Sequence, residues 1–117
     1  MKRIVSLLAA AAVVATTLFV VVPLASARTA ATTIKVTAKD FKFVLSKKSA
    51  PHGKVTFKVT NKGHTKHDFK IAGKKTPKIS PGKSATLKVT LKKGTYKYIC
   101  TVPGHATLGM KGSFKVT

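Results

Sequence analysis

Glutamate is absent from this chain of 117 residues, aspartate occurs twice, and there is one cysteine. Each shortage removes a class of chemistry. Hydrolysis by a pair of placed carboxylates is nearly excluded, because Asp40 and Asp68 would have to form that pair unaided. A Ser-His-Asp arrangement has no nucleophile motif to support it. A single cysteine closes no internal disulfide, the usual staple of a small exported domain. Helix is missing as well: no segment after residue 28 carries a sustained helical period, and there is neither a repeat nor a low-complexity tail.

Basic residues, by contrast, number 23 and set a formal net charge of +21. A field of this size steers a protein toward acidic proteins or anionic membrane and cell-wall polymers, with strong salt dependence. Many of the lysines also have a blander use. Lys35, Lys42, Lys58, Lys70, Lys88, Lys97 and Lys115 occupy outward positions of expected strands, where lysine keeps a surface soluble and discourages edge pairing. Nucleic acid is not an expected partner, because the same periodicity buries the aromatics that would have to stack on bases.

The first 27 residues read as a secretory signal peptide. Lys2 and Arg3 precede an uncharged run from Ile4, and Ala25-Ser-Ala27 fits a small-residue cleavage site. An uncleaved membrane anchor is the alternative, since the run to Ala27 is long enough to span a bilayer. Lipid attachment at an N-terminal cysteine is excluded, as this region contains none. Cleavage would leave residues 28–117, and loss of Lys2 and Arg3 would lower the charge from +21 to +19. That length holds one domain with one core, exported to the periplasm or the exterior and expected to be monomeric.

From Thr33 onward the pattern has period two. Ile34, Val36 and Ala38 alternate with polar residues; so do Phe41 and Phe43; Val55, Phe57 and Val59; His67, Phe69 and Ile71. The same holds for Leu87, Val89 and Leu91, then Tyr96, Tyr98 and Cys100, and finally Phe114 and Val116. These are about seven half-buried strands separated by Gly, Pro and Asn turns. The expectation is an all-β, antiparallel Greek-key β-sandwich.

Chemistry concentrates at Tyr98-Ile-Cys-Thr-Val-Pro-Gly-His-Ala-Thr-Leu-Gly-Met110. Cys100, His105 and Met110 stand in order, Cys-x4-His-x4-Met, on one loop between two strands. Alone, each has an ordinary reading: a buried inert thiol, a surface histidine, a core methionine. Together they offer a thiolate, an imidazole and a thioether to one ion. A second histidine would complete a trigonal copper site with a weak axial methionine. His52 and His64 lie in turns and are expected to be solvated. His67 shares strand parity with Phe69 and Ile71, so its ring should point inward as Cys100 does. Asp68 either braces the cysteine loop by hydrogen bonding or faces solvent and pairs with lysine. The lysine-rich field is expected to favour the deprotonated sulfur. Zinc competes for such ligands but gains little from methionine, and a two-copper centre would need a second cysteine.

Asn61-Lys-Gly-His-Thr-Lys-His-Asp-Phe-Lys-Ile71, Pro81-Gly-Lys-Ser-Ala and Gly94 through Gly112 resemble the cupredoxins of the plastocyanin/azurin family. The Val-Pro-Gly-His loop is more similar to rusticyanin-like proteins than to plastocyanin, whose Cys-x2-His spacing is shorter. The resemblance covers essentially all of residues 28–117. It implies His67, Cys100, His105 and Met110 as copper ligands. It also implies a non-enzymatic carrier that passes single electrons between redox partners by Cu(II)/Cu(I) cycling. The basic surface replaces the family's acidic docking patch, so partners with acidic docking surfaces are expected around His105, Ala106 and Leu108. Copper storage or delivery on the same fold is the alternative. A metal-free β-domain that binds anionic polymers through lysine is the third reading.

Overall fold

In a computed structural model, residues 15–17 and 31–117 are described. The expected signal peptide, apart from residues 15–17, and its cleavage point lie outside them. No helix among the described residues is long and apolar enough to cross a membrane.

Among the described residues nine strands follow one another: β1 (Thr32–Lys39), β2 (Lys42–Leu45), β3 (Ser49–Ala50), β4 (Gly53–Asn61), β5 (Lys70–Ile71), β6 (Lys74–Lys75), β7 (Ser84–Leu91), β8 (Gly94–Ile99) and β9 (Lys111–Val116). They form a four-stranded sheet in the order β2-β1-β4-β7 and a five-stranded sheet in the order β3-β9-β8-β5-β6. Period-two patterning explains the burial directly. In β4, Val55, Phe57, Val59 and Asn61 are buried, while Lys54, Thr56, Lys58 and Thr60 lie outward or halfway. Register keeps the inward sets aligned, with Ile34 beside Phe57 and Val36 beside Val59 across β1 and β4.

The inner faces of the two sheets meet in one core. Phe57 of the first sheet stands 5.1 Å from the ring of Phe69 and 5.3 Å from that of Phe114 in the second. All three side chains are fully buried. Burying an aromatic of this size contributes roughly 1.5–3 kcal/mol of transfer free energy, so these rings form a large part of what joins the layers.

Two features depart from the expected sandwich. Both sheets are mixed, because β1 pairs with β4 in parallel and β3 pairs with β9 in parallel. Alternation specifies which face a residue takes, and it is blind to strand direction. The expected strand through His67, Phe69 and Ile71 is also reduced to the two residues of β5. His67 instead exchanges backbone bonds with Ile79 at 3.1 and 2.7 Å. The Phe69 N–H donates to Thr76 Oγ1 at 3.0 Å. Released from a regular ladder, the neighbours His67, Asp68 and Phe69 all turn inward and are buried.

At one end of the sandwich this irregular segment meets the turn after β1 and the loop from β8 to β9. The candidate site is built there.

Candidate metal centre

The loop between β8 and β9 is closed by its own backbone. At its neck the Cys100 N–H donates to the Met110 carbonyl at 3.0 Å. Val102-Pro-Gly-His105 forms a tight turn in which the His105 N–H donates to the Val102 carbonyl at 3.1 Å. Pro103 sets the first central position, and Gly104 takes φ +83°, as the second position of a type II turn requires. The Met110 N–H then returns to the His105 carbonyl at 3.1 Å. The turn swings His105 back over Cys100, and the loop end buries Met110 completely.

His67 reaches the same point from the segment leading into β5, the strand paired beside β8. Its Nδ1 lies 3.0 Å from His105 Nδ1, and Cys100 Sγ lies 3.7 Å from that same nitrogen. The donor atoms of His67, Cys100 and His105 all fall within 4.8 Å of one another. Bonds from one ion to nitrogen run to about 2.0–2.1 Å and to sulfur about 2.3 Å. Donors sharing such an ion therefore stand some 3–4 Å apart, close to the spacing found here. His67 and Cys100 are buried, and His105 is half-buried. Phe41 lies edge-on to both imidazoles, with ring centroids 6.4 Å from His67 and 5.0 Å from His105.

Burial shifts the ligand protonation equilibria in opposite directions. It pulls the His105 imidazole below its ordinary pKa, with help from neighbouring His67. The ring is thereby kept neutral, the form in which histidine binds a metal. Burial also pushes the Cys100 thiol above its ordinary value, against hydrogen bonding that favours the thiolate. This is opposite to the direction expected from the lysine excess. Lysines lie on the solvent side, whereas the sulfur is 1% exposed and close to the Asp68 carboxylate.

Both aspartates bond to this centre. Asp68 is buried and accepts the Thr101 N–H at 2.6 Å and the Thr101 hydroxyl, so it braces the residue after Cys100. The alternative of a solvent-facing carboxylate paired with lysine does not occur. Asp40, between β1 and β2, accepts from His67 Nε2 at 2.7 Å, the His64 N–H at 2.8 Å and the Thr65 hydroxyl at 3.0 Å. Those donors, led by the His64 backbone, hold its carboxyl well below the usual range, although burial works the other way. The sequence reading missed Asp40; its signal was to be one of only two acids in so basic a chain. Asn61 was missed too. Its side-chain amide donates to the Thr65 and Ile79 carbonyls, and its oxygen accepts the Gly63 N–H, tying down the His67 loop. His52 and His64 are exposed, as expected, and neither joins the cluster.

A family model of the cupredoxin-like domain matches residues 8–111. The chain belongs to the cupredoxin-like family. Among solved structures, the reduced auracyanin of the photosynthetic bacterium Roseiflexus castenholzii is 24% identical. It aligns with 76% of this chain and 99% of that one, at a TM-score of 0.66. Auracyanin A of Chloroflexus aurantiacus, described as a blue copper protein, is 22% identical over 75% and 100% of the two chains, at a TM-score of 0.63. Reduced rusticyanin is 23% identical over 76% and 82%, at 0.59. At these identities the likeness shows the shared fold. No curated protein matches the chain significantly by sequence. In this cupredoxin, His67, Cys100 and His105, with Met110 beside them, are positioned for one copper ion.

Proposed function

We propose that this cupredoxin is an exported type 1 copper protein that carries single electrons between redox partners and is not an enzyme. The observation that carries the reading is the closed, mostly buried donor set. Two imidazole nitrogens and a thiol converge within 4.8 Å, and a buried methionine ends the same loop. This donor set, trigonal with a weak thioether, is that of a blue copper electron-transfer site. Copper, when bound, would supply the Cu(II)/Cu(I) couple. The His67 and His105 Nδ1 atoms and Cys100 Sγ would hold it, and Met110 would add a weaker thioether donor. Four protein ligands leave no position for a substrate, which argues against catalysis.

The short loop that carries Cys100, His105 and Met110 and its hydrogen-bonded neck resist rearrangement, so the same cage serves both oxidation states. His105 brings its half-buried ring toward solvent. Leu108, 62% exposed on the same loop, supports an apolar docking spot there. The surrounding lysines favour a partner whose contact surface is acidic. Export and removal of residues 1–27 belong to this reading, supported by the basic, apolar and small-residue pattern described above.

Adding Cu(II) to the purified metal-free protein should produce an intense blue thiolate-to-copper band and a type 1 paramagnetic-resonance signal, both lost in Cys100→Ser. A colourless copper-loaded protein would refute the assignment. Fast electron exchange with an acidic-surfaced cytochrome supports the carrier. Slow exchange with ready copper transfer to an acceptor would point to copper delivery instead.

A further inference from the structure

We propose that Asp40 is a positioning residue of the metal centre: a carboxylate that orients His67 and lowers the reduction potential. The inference rests on the copper reading above and adds a residue that the ligand motif does not contain. Its basis is where the chain's few negative charges go. The described domain is covered with lysine, yet the side-chain ion pairs of Asp40 among the described residues are with His64 and His67. An acid placed only for surface balance would pair with lysine. This one contacts the ring that supplies Nδ1 to the cluster.

The contact settles which nitrogen of His67 is free. An aspartate carboxylate only accepts hydrogen bonds, so His67 Nε2, 2.7 Å from Asp40 Oδ1, carries the ring proton. Nδ1 is left with its lone pair directed at His105 and Cys100. In the metal-free protein His105 Nδ1 then donates across the 3.0 Å gap. A carboxylate behind a metal-bound imidazole also raises the basicity of the ring. Its negative charge favours the more highly charged Cu(II) over Cu(I).

The backbone reserves space for this pair. A Cβ added to Gly63 would collide with Asp40 Oδ1 and lie 2.8 Å from His67 Nε2. The Asn61 side chain holds the Gly63 N–H at 2.8 Å, so the glycine has little room to withdraw. Asp40 is itself held by the His64 N–H and the Thr65 hydroxyl, so its oxygen cannot swing away from the ring. A hydrogen bond from a fixed, fully charged carboxylate is therefore made directly to one ligand ring, that of His67.

Asp40→Asn tests the charge, because asparagine keeps an acceptor oxygen of the same size. The expected result is a Cu(II) affinity weakened about tenfold more than the Cu(I) affinity, read as a potential about 59 mV higher. A purely structural role would lower the melting temperature and leave the potential in place. A potential unchanged or lowered in folded, blue Asp40→Asn protein would overturn the proposal. Nitrogen NMR of the metal-free wild type gives an independent reading, with His67 protonated at Nε2; protonation at Nδ1 would overturn it equally. In Asp40→Ala, which retains no acceptor, that tautomer preference should be lost, and its persistence would count against Asp40 as its cause. Wild-type protein that takes up no copper would overturn the copper assignment and this role together. Blue wild type with an unmoved Asp40→Asn potential would overturn this role alone.

Discussion

Removing the Asp68 carboxylate offers a quantitative test of how the cysteine loop is held. The side chain is 1% exposed and accepts two hydrogen bonds from Thr101, one from the backbone N–H at 2.6 Å and one from the hydroxyl. A hydrogen bond to a charged group contributes roughly 1.5–3 kcal/mol. Asp68→Ala removes both and leaves two donors without their acceptor, while relief from burying a carboxylate offsets part of the loss. We expect a net destabilisation of about 3 kcal/mol, which for a domain of this size lowers the melting temperature by roughly 12–24 °C. Asp68→Asn keeps an oxygen for the Thr101 N–H, and its amide can donate to the Thr101 hydroxyl, so it should cost only about 1 kcal/mol. Denaturant unfolding of the metal-free proteins is the appropriate assay, because bound metal would add its own stabilisation and mask the difference. Thr101→Val supplies the second edge of a double-mutant cycle, and its effect should largely vanish in the Asp68→Ala background. An Asp68→Ala protein within about 0.5 kcal/mol of wild type, or strict additivity with Thr101→Val, would refute the bracing role.

Burial that raises the Cys100 pKa makes metal binding displace a proton from sulfur, whereas His105, with its lowered pKa, is already neutral at pH 7. Copper affinity, followed by competition with a chelator, should therefore rise about tenfold per pH unit near neutrality; a flat profile from pH 7 to 8 would mean the thiolate already exists in the metal-free protein. Because the site is assembled only in the folded chain, copper at a hundred times its dissociation constant should add about 2.7 kcal/mol of stability. Calorimetry with and without a chelator reads this, and an unchanged melting temperature would contradict it. Phe57→Ala, which removes a fully buried ring between the two sheets, should cost about 3–5 kcal/mol while leaving the blue spectrum of the folded fraction unchanged. A spectral change with little loss of stability would place Phe57 in the metal site instead of the core.

The chain's alternation was enough to read a two-layered all-β domain, because side chains in a strand change face at every residue. It placed Val55, Phe57 and Val59 inward and their lysine and threonine neighbours outward, and β4 has that pattern. Strand direction was not legible. The parallel pairing of β1 with β4 depends on how the chain crosses between sheets, which leaves no local trace. The segment from His67 to Ile71 shows the limit of parity more sharply. His67 and Phe69 are buried as alternation required, but Asp68 between them is buried too, because His67 bonds to Ile79 outside any regular ladder.

The site divides along the same line. Cys100, His105 and Met110 were legible because their side chains leave one short loop, where sequence spacing is close to spatial spacing. The Pro103-Gly104 turn that folds His105 back toward Cys100 was visible too, since those residues carry their own backbone preferences. His67 could be singled out by parity, but its 3.0 Å approach to His105 required the segment leading into β5 to be paired beside β8. Asp40 lay beyond any local argument. It stands 27 residues before His67, and only the packing of the turn after β1 against the Gly63 backbone brings its carboxylate to the ring. By itself, then, the sequence determined the donor types, the loop that carries three of them and the face each strand would bury. Tertiary structure alone decided which distant groups stand behind the donors, because a hydrogen bond between such groups depends on their positions in space and leaves no periodic mark along the chain.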